Sequence, residues 1–189
     1  MMNLINTFCE EHKPVDIWTN SPFRGVKELV NDHRGELGES MMSKVFHFLN
    51  YEINDDVTNK NAKPDGIYDL KVENQRIEVK TTCAKDNFQH EPLYEADVCD
   101  IVIFVDFSYD RYWVSICKRE DLPLGKDSKK LFNGRHGSLR KNKDDGWKLD
   151  FSFATIKTLV KQGYAHVFDE KSSVEDIANF IDGWWKKNV

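Results

Sequence analysis

The run "VCDIVIFVDF", residues 98–107, is almost wholly apolar and made largely of β-branched and aromatic side chains. A strand with one wet face alternates in polarity; a continuous apolar run of this length marks a central strand covered on both faces. A chain with such a segment must fold around a sheet with a packed layer on each side. "RYWVSIC" at 111–117 follows after "SYD" and reads as the hairpin partner or neighbour of that strand.

Helical periodicity supplies the layers. The segment from about 22 to 50 reads as helical, interrupted at Gly35 or Gly38, with Met42, Val45, Phe46 and Leu49 at i, i+3, i+4, i+7 spacing on a face that must be buried. "FATIKTLVKQGY" reads as a helix stopped near Gly163. "SSVEDIANFIDGWWKK" reads as a last helix, with Ser172 or Ser173 as N-cap and Glu175 and Asp176 in its first turn. Trp184 and Trp185 cannot face one direction, so one belongs to the core and the other is available for a dimer or domain contact, unless the core takes both. The Gly- and Lys-rich region 123–147 reads as loop. The order is helix, three or four strands, then helices, which is a mixed α/β domain. At 189 residues the chain is one domain, with a core over about 34–118 and a basic loop and helical part over 119–189.

Composition excludes several classes. Hydrophobic residues at 40 % and charged residues at 31 % describe an ordinary folded domain. "MMNLINTFCEEHKP" lacks a basic region followed by an apolar core, and no window approaches the roughly 18 apolar residues of a membrane span, which points to a cytoplasmic protein with no membrane partner. Cys9, Cys83, Cys99 and Cys117 are far apart without a C-x-x-C pair, against zinc or a disulfide framework. The net charge of −5 conceals an uneven distribution: residues 126–148 carry +5, leaving −10 on the rest. A basic segment on an acidic body suits a phosphate-binding edge, and a solvated loop has the same composition.

"KPDGIYDLKVENQRIEVKTTC", residues 63–83, contains two alternating runs around a polar turn. With Asn74-Gln75 as the turn, Glu73 opposes Arg76, Lys71 opposes Glu78 and Asp69 opposes Lys80. One face then collects Tyr68, Leu70, Val72, Ile77, Val79 and Cys83, and the other collects Asp69, Lys71, Glu73, Arg76, Glu78, Lys80 and Thr82. Cross-strand charge pairs of this kind stabilise many exposed sheets by only about 0.2–1 kcal/mol each. The same geometry also places the carboxylates of Asp69 and Glu78 on one face, roughly diagonal, where both could ligate one Mg²⁺. Lys80 points the same way and is suited to orienting a metal-bound water or stabilising charge on a phosphate. Asp65 shares Asp69's parity but lies roughly 13 Å further along an extended strand. The Pro64 and Gly66 that flank it permit a curl, so Asp65 remains the alternative first acid or a second ligand.

An Asp, a β-turn and Glu78-Val79-Lys80 on the next strand, after a helix carrying Gly-Glu, resemble the PD-(D/E)XK nuclease superfamily, the restriction-endonuclease-like fold. The residues that carry the resemblance are Pro64-Asp65, Asp69 and "RIEVKTT", with "RGELGE" similar to the G-x-x-x-E start of the first core helix in resolvase-like members. The resemblance covers about residues 34–118. It implies an αβββαβ core, Mg²⁺ (with Mn²⁺ as a substitute) held by Asp69, Glu78, Glu39 and Asp65, and a lysine, Lys80, assisting hydrolysis of DNA. Gly35 and Glu39 match the helix motif, and Glu39 falls near the Met42/Phe46 side. The literal Pro-Asp at 64–65 departs from the geometric preference for Asp69.

Outside this core, "FQHEP" offers Gln89 and His90 to meet DNA or position water. "NGRHGSLRK" and its neighbours offer Arg135, His136, Arg140, Lys141 and Lys143 to DNA, for phosphate neutralisation or guanine readout. The expected function is a Mg²⁺-dependent endonuclease acting on double-stranded DNA, of type II restriction or phage or mobile-element kind, dimerising to cut both strands. The alternatives are a junction or repair nuclease of the same fold and a catalytically silent DNA- or protein-binding module.

Overall fold

The computed structural model describes residues 16–54, 68–93, 99–122, 137–141 and 147–189, with backbone alone for 91–93, 137–141 and 147. Helices α1 (Arg24–Glu28) and α2 (Asn31–Phe48) lead into β1 (Ile53–Asn54), β2 (Leu70–Val72), β3 (Gln75–Cys83), β4 (Asn87–Leu93), β5 (Ile101–Phe107) and β6 (Tyr112–Lys118). Strands β7 (Gly137–Lys141) and β8 (Trp147–Ser152), helix α3 (Phe153–Gln162), strand β9 (Ala165–Phe168) and helix α4 (Val174–Asn188) complete the order. The described strands form a six-stranded sheet, β1-β2-β3-β5-β6-β9, and a three-stranded one, β4-β8-β7. The larger sheet is mixed: β3 and β5 run parallel, and its other neighbours are antiparallel.

All seven residues of β5 are buried, as its composition requires. Ile101, Ile103, Val105 and Phe107 enter a core with Met42, Val45 and Phe46 of α2 and Ile177, Ile181, Trp184 and Trp185 of α4. Val102 and Phe104 enter a second core with Phe88 of β4, Leu149 and Phe151 of β8, and Ile156 and Leu159 of α3. One face of the main sheet is thus covered by two helices, the other by the small sheet and α3. Both tryptophans are core residues; Trp185 packs edge-on to Phe46 at 5.3 Å, so neither is left for a partner contact.

The long helix expected over 22–50 is two. Leu29 and Val30 are extended, and the guanidinium of Arg34 reaches back to donate to the carbonyls of Val26, Lys27 and Leu29, the last at 2.7 Å. That side chain satisfies carbonyls a helix end leaves without partners. Gly35 and Gly38 lie inside an unbroken α2. Gly38 is there for close approach: a Cβ on it would stand 1.8 Å from Thr81 Oγ1 of β3. The final two helices start and stop where expected, α3 ending on Gly163 at φ 79° and α4 opening on a reciprocal Ser173–Asp176 capping box.

The region read as loop yields β7 and the start of β8. The signal was the alternation Trp147, Leu149, Phe151 against Lys148, Asp150, Ser152, obscured by the Lys- and Gly-rich composition around it. A second departure concerns αβββαβ order, which places a helix between the third strand and the next. The described residues between the parallel strands β3 and β5 instead form β4 of the small sheet. Among the described residues no helix is long and apolar enough to cross a membrane.

Candidate active site

The β2–β3 hairpin turns on Glu73-Asn74, not Asn74-Gln75. Its register pairs Val72 with Gln75, Lys71 with Arg76 and Leu70 with Ile77, two residues from the expected partners. Because side chains alternate with period two, such a shift keeps every strand residue on its expected face while changing all of its partners. Leu70, Val72, Ile77, Val79 and Cys83 do enter the helix-covered core. The proposed ladder of Glu73–Arg76, Lys71–Glu78 and Asp69–Lys80 is not the pairing observed. Arg76 instead grips Asp100, Nε to Oδ2 at 2.9 Å and Nη2 to Oδ1 at 2.8 Å, and this contact holds the Asp100 carboxyl below the usual carboxylate range.

At Asp69 the backbone ladder gives way to a side chain. Asp69 N donates to Ile77 O at 2.8 Å, and the next acceptor on this side is the carboxylate itself: Val79 N donates to Asp69 Oδ2 at 2.8 Å. The chain direction changes here, so Tyr68 packs on the second core and not, as expected, with Leu70 and Val72. The Asp69 carboxylate is thereby held against the backbone of the residue between Glu78 and Lys80.

Glu78 and Lys80 stand opposite Val102 and Phe104 of parallel β5, which places them at the margin of the second core. Lys80 Nζ donates to Glu78 Oε1, and the two side chains retain 23 % and 14 % exposure. Partial desolvation strengthens this contact relative to one in open water. Asp69, at the bend before β2, and Glu78 and Lys80 of β3 are thus neighbours through the Val79 amide, two acids and one cation. Two carboxylates are a donor set that fits Mg²⁺, a hard ion that fills its remaining positions with water and phosphate oxygens. Among the described residues no three His, Cys, Asp or Glu converge on a common metal position. Asp65 lies outside the described residues.

Glu39 is half-buried on α2, beside Gly38, the point where that helix meets Thr81 of β3. Its helix lies over the face that carries Ile77, Val79 and Thr81, opposite to that of Glu78 and Lys80, and its Oε1 is directed back toward Gly35. Of the basic candidates, Arg135, His136 and Lys143 lie outside the described residues. Arg140 and Lys141 are in β7, where the register sets Arg140 opposite Lys148. Their sheet covers the same face of the main sheet that carries Glu78 and Lys80.

His90 is not on a surface where DNA could meet it. It sits in β4, 2 % exposed, with Nε2 2.9 Å from Oδ1 of the fully buried Asp106. The sequence held a sign of this pair, an acid inside the otherwise apolar "IVIFVDF", which demands a buried partner. Gly38's close approach had no such sign.

No family model, curated protein or solved structure matches the chain.

Proposed function

We propose that the chain is a Mg²⁺-dependent endonuclease on double-stranded DNA, with a restriction-endonuclease-like core. The observation that carries this reading is the hydrogen bond from Val79 N to Asp69 Oδ2, which anchors one acid against the strand that presents Glu78 and Lys80. An exposed charge ladder has no need of a carboxylate fixed to the backbone between an acid and a lysine.

Asp69 and Glu78 supply the oxygen donors, with Asp65 as a further acid of the motif; Glu39, on the helix over the opposite face, is left out of this set. A bound Mg²⁺ would supply neutralisation of the scissile phosphate and a water of lowered pKa. Lys80 orients the attacking water and stabilises charge on the phosphate, from a half-buried position where a fixed cation acts more strongly than in bulk solvent. Hydrolysis is in-line, and cleavage of both strands requires two copies of the site. The net charge of +5 over residues 126–148 supports DNA as the substrate.

The deciding experiment is nicking of supercoiled plasmid in Mg²⁺ or Mn²⁺ by the parent and by Glu78→Ala and Lys80→Ala, with folding checked by circular dichroism. Loss of cleavage in both folded variants is expected. Parent-like cleavage by either variant refutes the site. Absence of both nicking and metal-dependent thermal stabilisation in the parent favours a silent binding module, and preference for branched over linear duplex favours a junction or repair nuclease.

A further inference from the structure

The core between the two sheets holds the hydroxyl of Ser115 and, at one place, two titratable groups. There the imidazole of His90 lies between Phe104 of the main sheet and Phe151 of the small sheet, ring centroids 4.6 Å and 5.2 Å away. Its Nε2 approaches Asp106 Oδ1 at 2.9 Å, with side-chain exposures of 1 % and 0 %. The contact is close but not a straight hydrogen bond: among the described residues neither Asp106 oxygen meets a well-aligned donor.

Among the described residues the only other buried charged group is Asp150 of β8. Asp106 is paired with Thr82 of β3 and Trp113 of β6, and His90 with Leu149 of β8. Phe88 of β4 and Ile156 and Leu159 of α3 complete the wall. On β8 the charged Lys148 and Asp150 alternate with Leu149 and Phe151 and so take the opposite face. Lys80, the nearest cation along the same face of β3, is engaged by Glu78. Burial pushes the Asp106 carboxyl up, and His90 is the one charged group acting against that shift.

We propose that His90 and Asp106 hold one proton between them across the neutral range, and that this shared proton fastens the small sheet to the main one. With it the pair is net neutral, whether written as imidazolium and carboxylate or as imidazole and carboxylic acid. Without it a net negative charge remains in an apolar core, and with a second proton a net positive one; either is costly to bury. This inference does not depend on the nuclease reading, since neither residue is among the proposed metal or phosphate ligands.

The sign follows from proton counting. Between the ordinary pKa values of Asp, about 3.9, and His, about 6.5, the unfolded chain also carries one proton on these two groups, so their contribution is constant. Above about 6.5 the unfolded chain releases its proton to water while the folded pair keeps it, so stability falls as pH rises. In Asp106→Asn the buried His90 has no counter-charge and stays neutral, so that variant gains stability as pH rises toward about 6.5 and is flat beyond.

The test is urea unfolding of the full chain and of Asp106→Asn from pH 5 to 8. The ratio of variant to wild-type unfolding constants is expected to fall by about tenfold per pH unit throughout. A ratio independent of pH overturns the proposal. Should the variant not fold, the wild type decides alone: site-resolved imidazole nitrogen shifts of His90 are expected to stay constant through pH 6.5, and a midpoint there overturns it.

Discussion

Val79 donates its backbone N–H to Asp69 Oδ2 at 2.8 Å, so Asp69 is at once a candidate metal ligand and a structural acceptor that completes the edge of the hairpin. The two roles separate by substitution. Asp69→Asn keeps an oxygen for Val79 but removes the charge, so stability should stay within about 1 kcal/mol of the parent while Mg²⁺-dependent cleavage falls by about 100-fold or more. Asp69→Ala also orphans the Val79 amide and should cost a further 1–2 kcal/mol or so. Denaturant melts beside plasmid nicking read both quantities, and an active Asp69→Asn would remove Asp69 from the metal site.

Gly38 and Thr81 set how closely α2 approaches β3. Alanine in mid-helix is ordinarily favoured over glycine by about 1 kcal/mol. Here its Cβ would fall 1.8 Å from Thr81 Oγ1 and 3.0 Å from Thr81 Cβ, which no rotation of the threonine relieves in full. Overpacking should win, and Gly38→Ala should destabilise by about 1–3 kcal/mol. Adding Thr81→Ala removes the nearer obstacle and should recover a large part of that loss. Independent, additive effects of the two substitutions would contradict this account of the helix–sheet contact.

What the amino-acid pattern made readable was whatever depends on period alone. β5 was legible because its run is apolar on both faces, and the faces of β2 and β3 were legible because alternation survives a slip of two residues. Partners were not legible. Arg76 had a charge of the right sign at Glu73 close by in sequence, yet takes Asp100, which the parallel pairing of β3 with β5 brings alongside. The burial of His90 was not legible because its partner, Asp106, lies on another sheet. For the candidate site, the motif located Glu78 and Lys80, and strand geometry selected Asp69. The bend that turns its carboxylate toward Val79 is a consequence of the ladder ending there, which residue types alone do not specify.

The Arg76–Asp100 contact predicts a pH dependence on the acid side. The fork from Arg76, joined by the Arg76 backbone N–H at 2.9 Å, favours ionised Asp100. A carboxyl lowered in the folded state contributes stability above its ordinary pKa, about 3.9, and loses it as pH falls through the folded value. Because the two side chains keep 36 % and 33 % exposure, screening limits the contribution to about 1 kcal/mol. Arg76→Gln should therefore be less stable than the parent at pH 7, with the difference shrinking below about pH 4 and in high salt. A difference that persists unchanged at pH 2–3 would mean that Arg76 acts through packing of its stem and not through charge.

Glu73 determines the register at which the two acidic strands meet, because the hairpin turns on it with φ at 53°. For a residue with a Cβ the left-handed region costs about 1–2 kcal/mol, and glycine avoids that cost. The Glu73 side chain is exposed, so its removal forfeits little packing. Glu73→Gly should thus stabilise the fold by about 1 kcal/mol after the entropy of the more flexible unfolded chain is counted. Glu73→Val should destabilise it, since a β-branched residue tolerates this conformation worst. If the turn were Asn74-Gln75, neither effect would appear and substitution at Asn74 would carry the larger penalty. Urea midpoints for Glu73→Gly, Glu73→Val and Asn74→Val separate the two registers. With them they separate a site in which Asp69 meets the backbone at Val79 from one in which it would pair with Lys80.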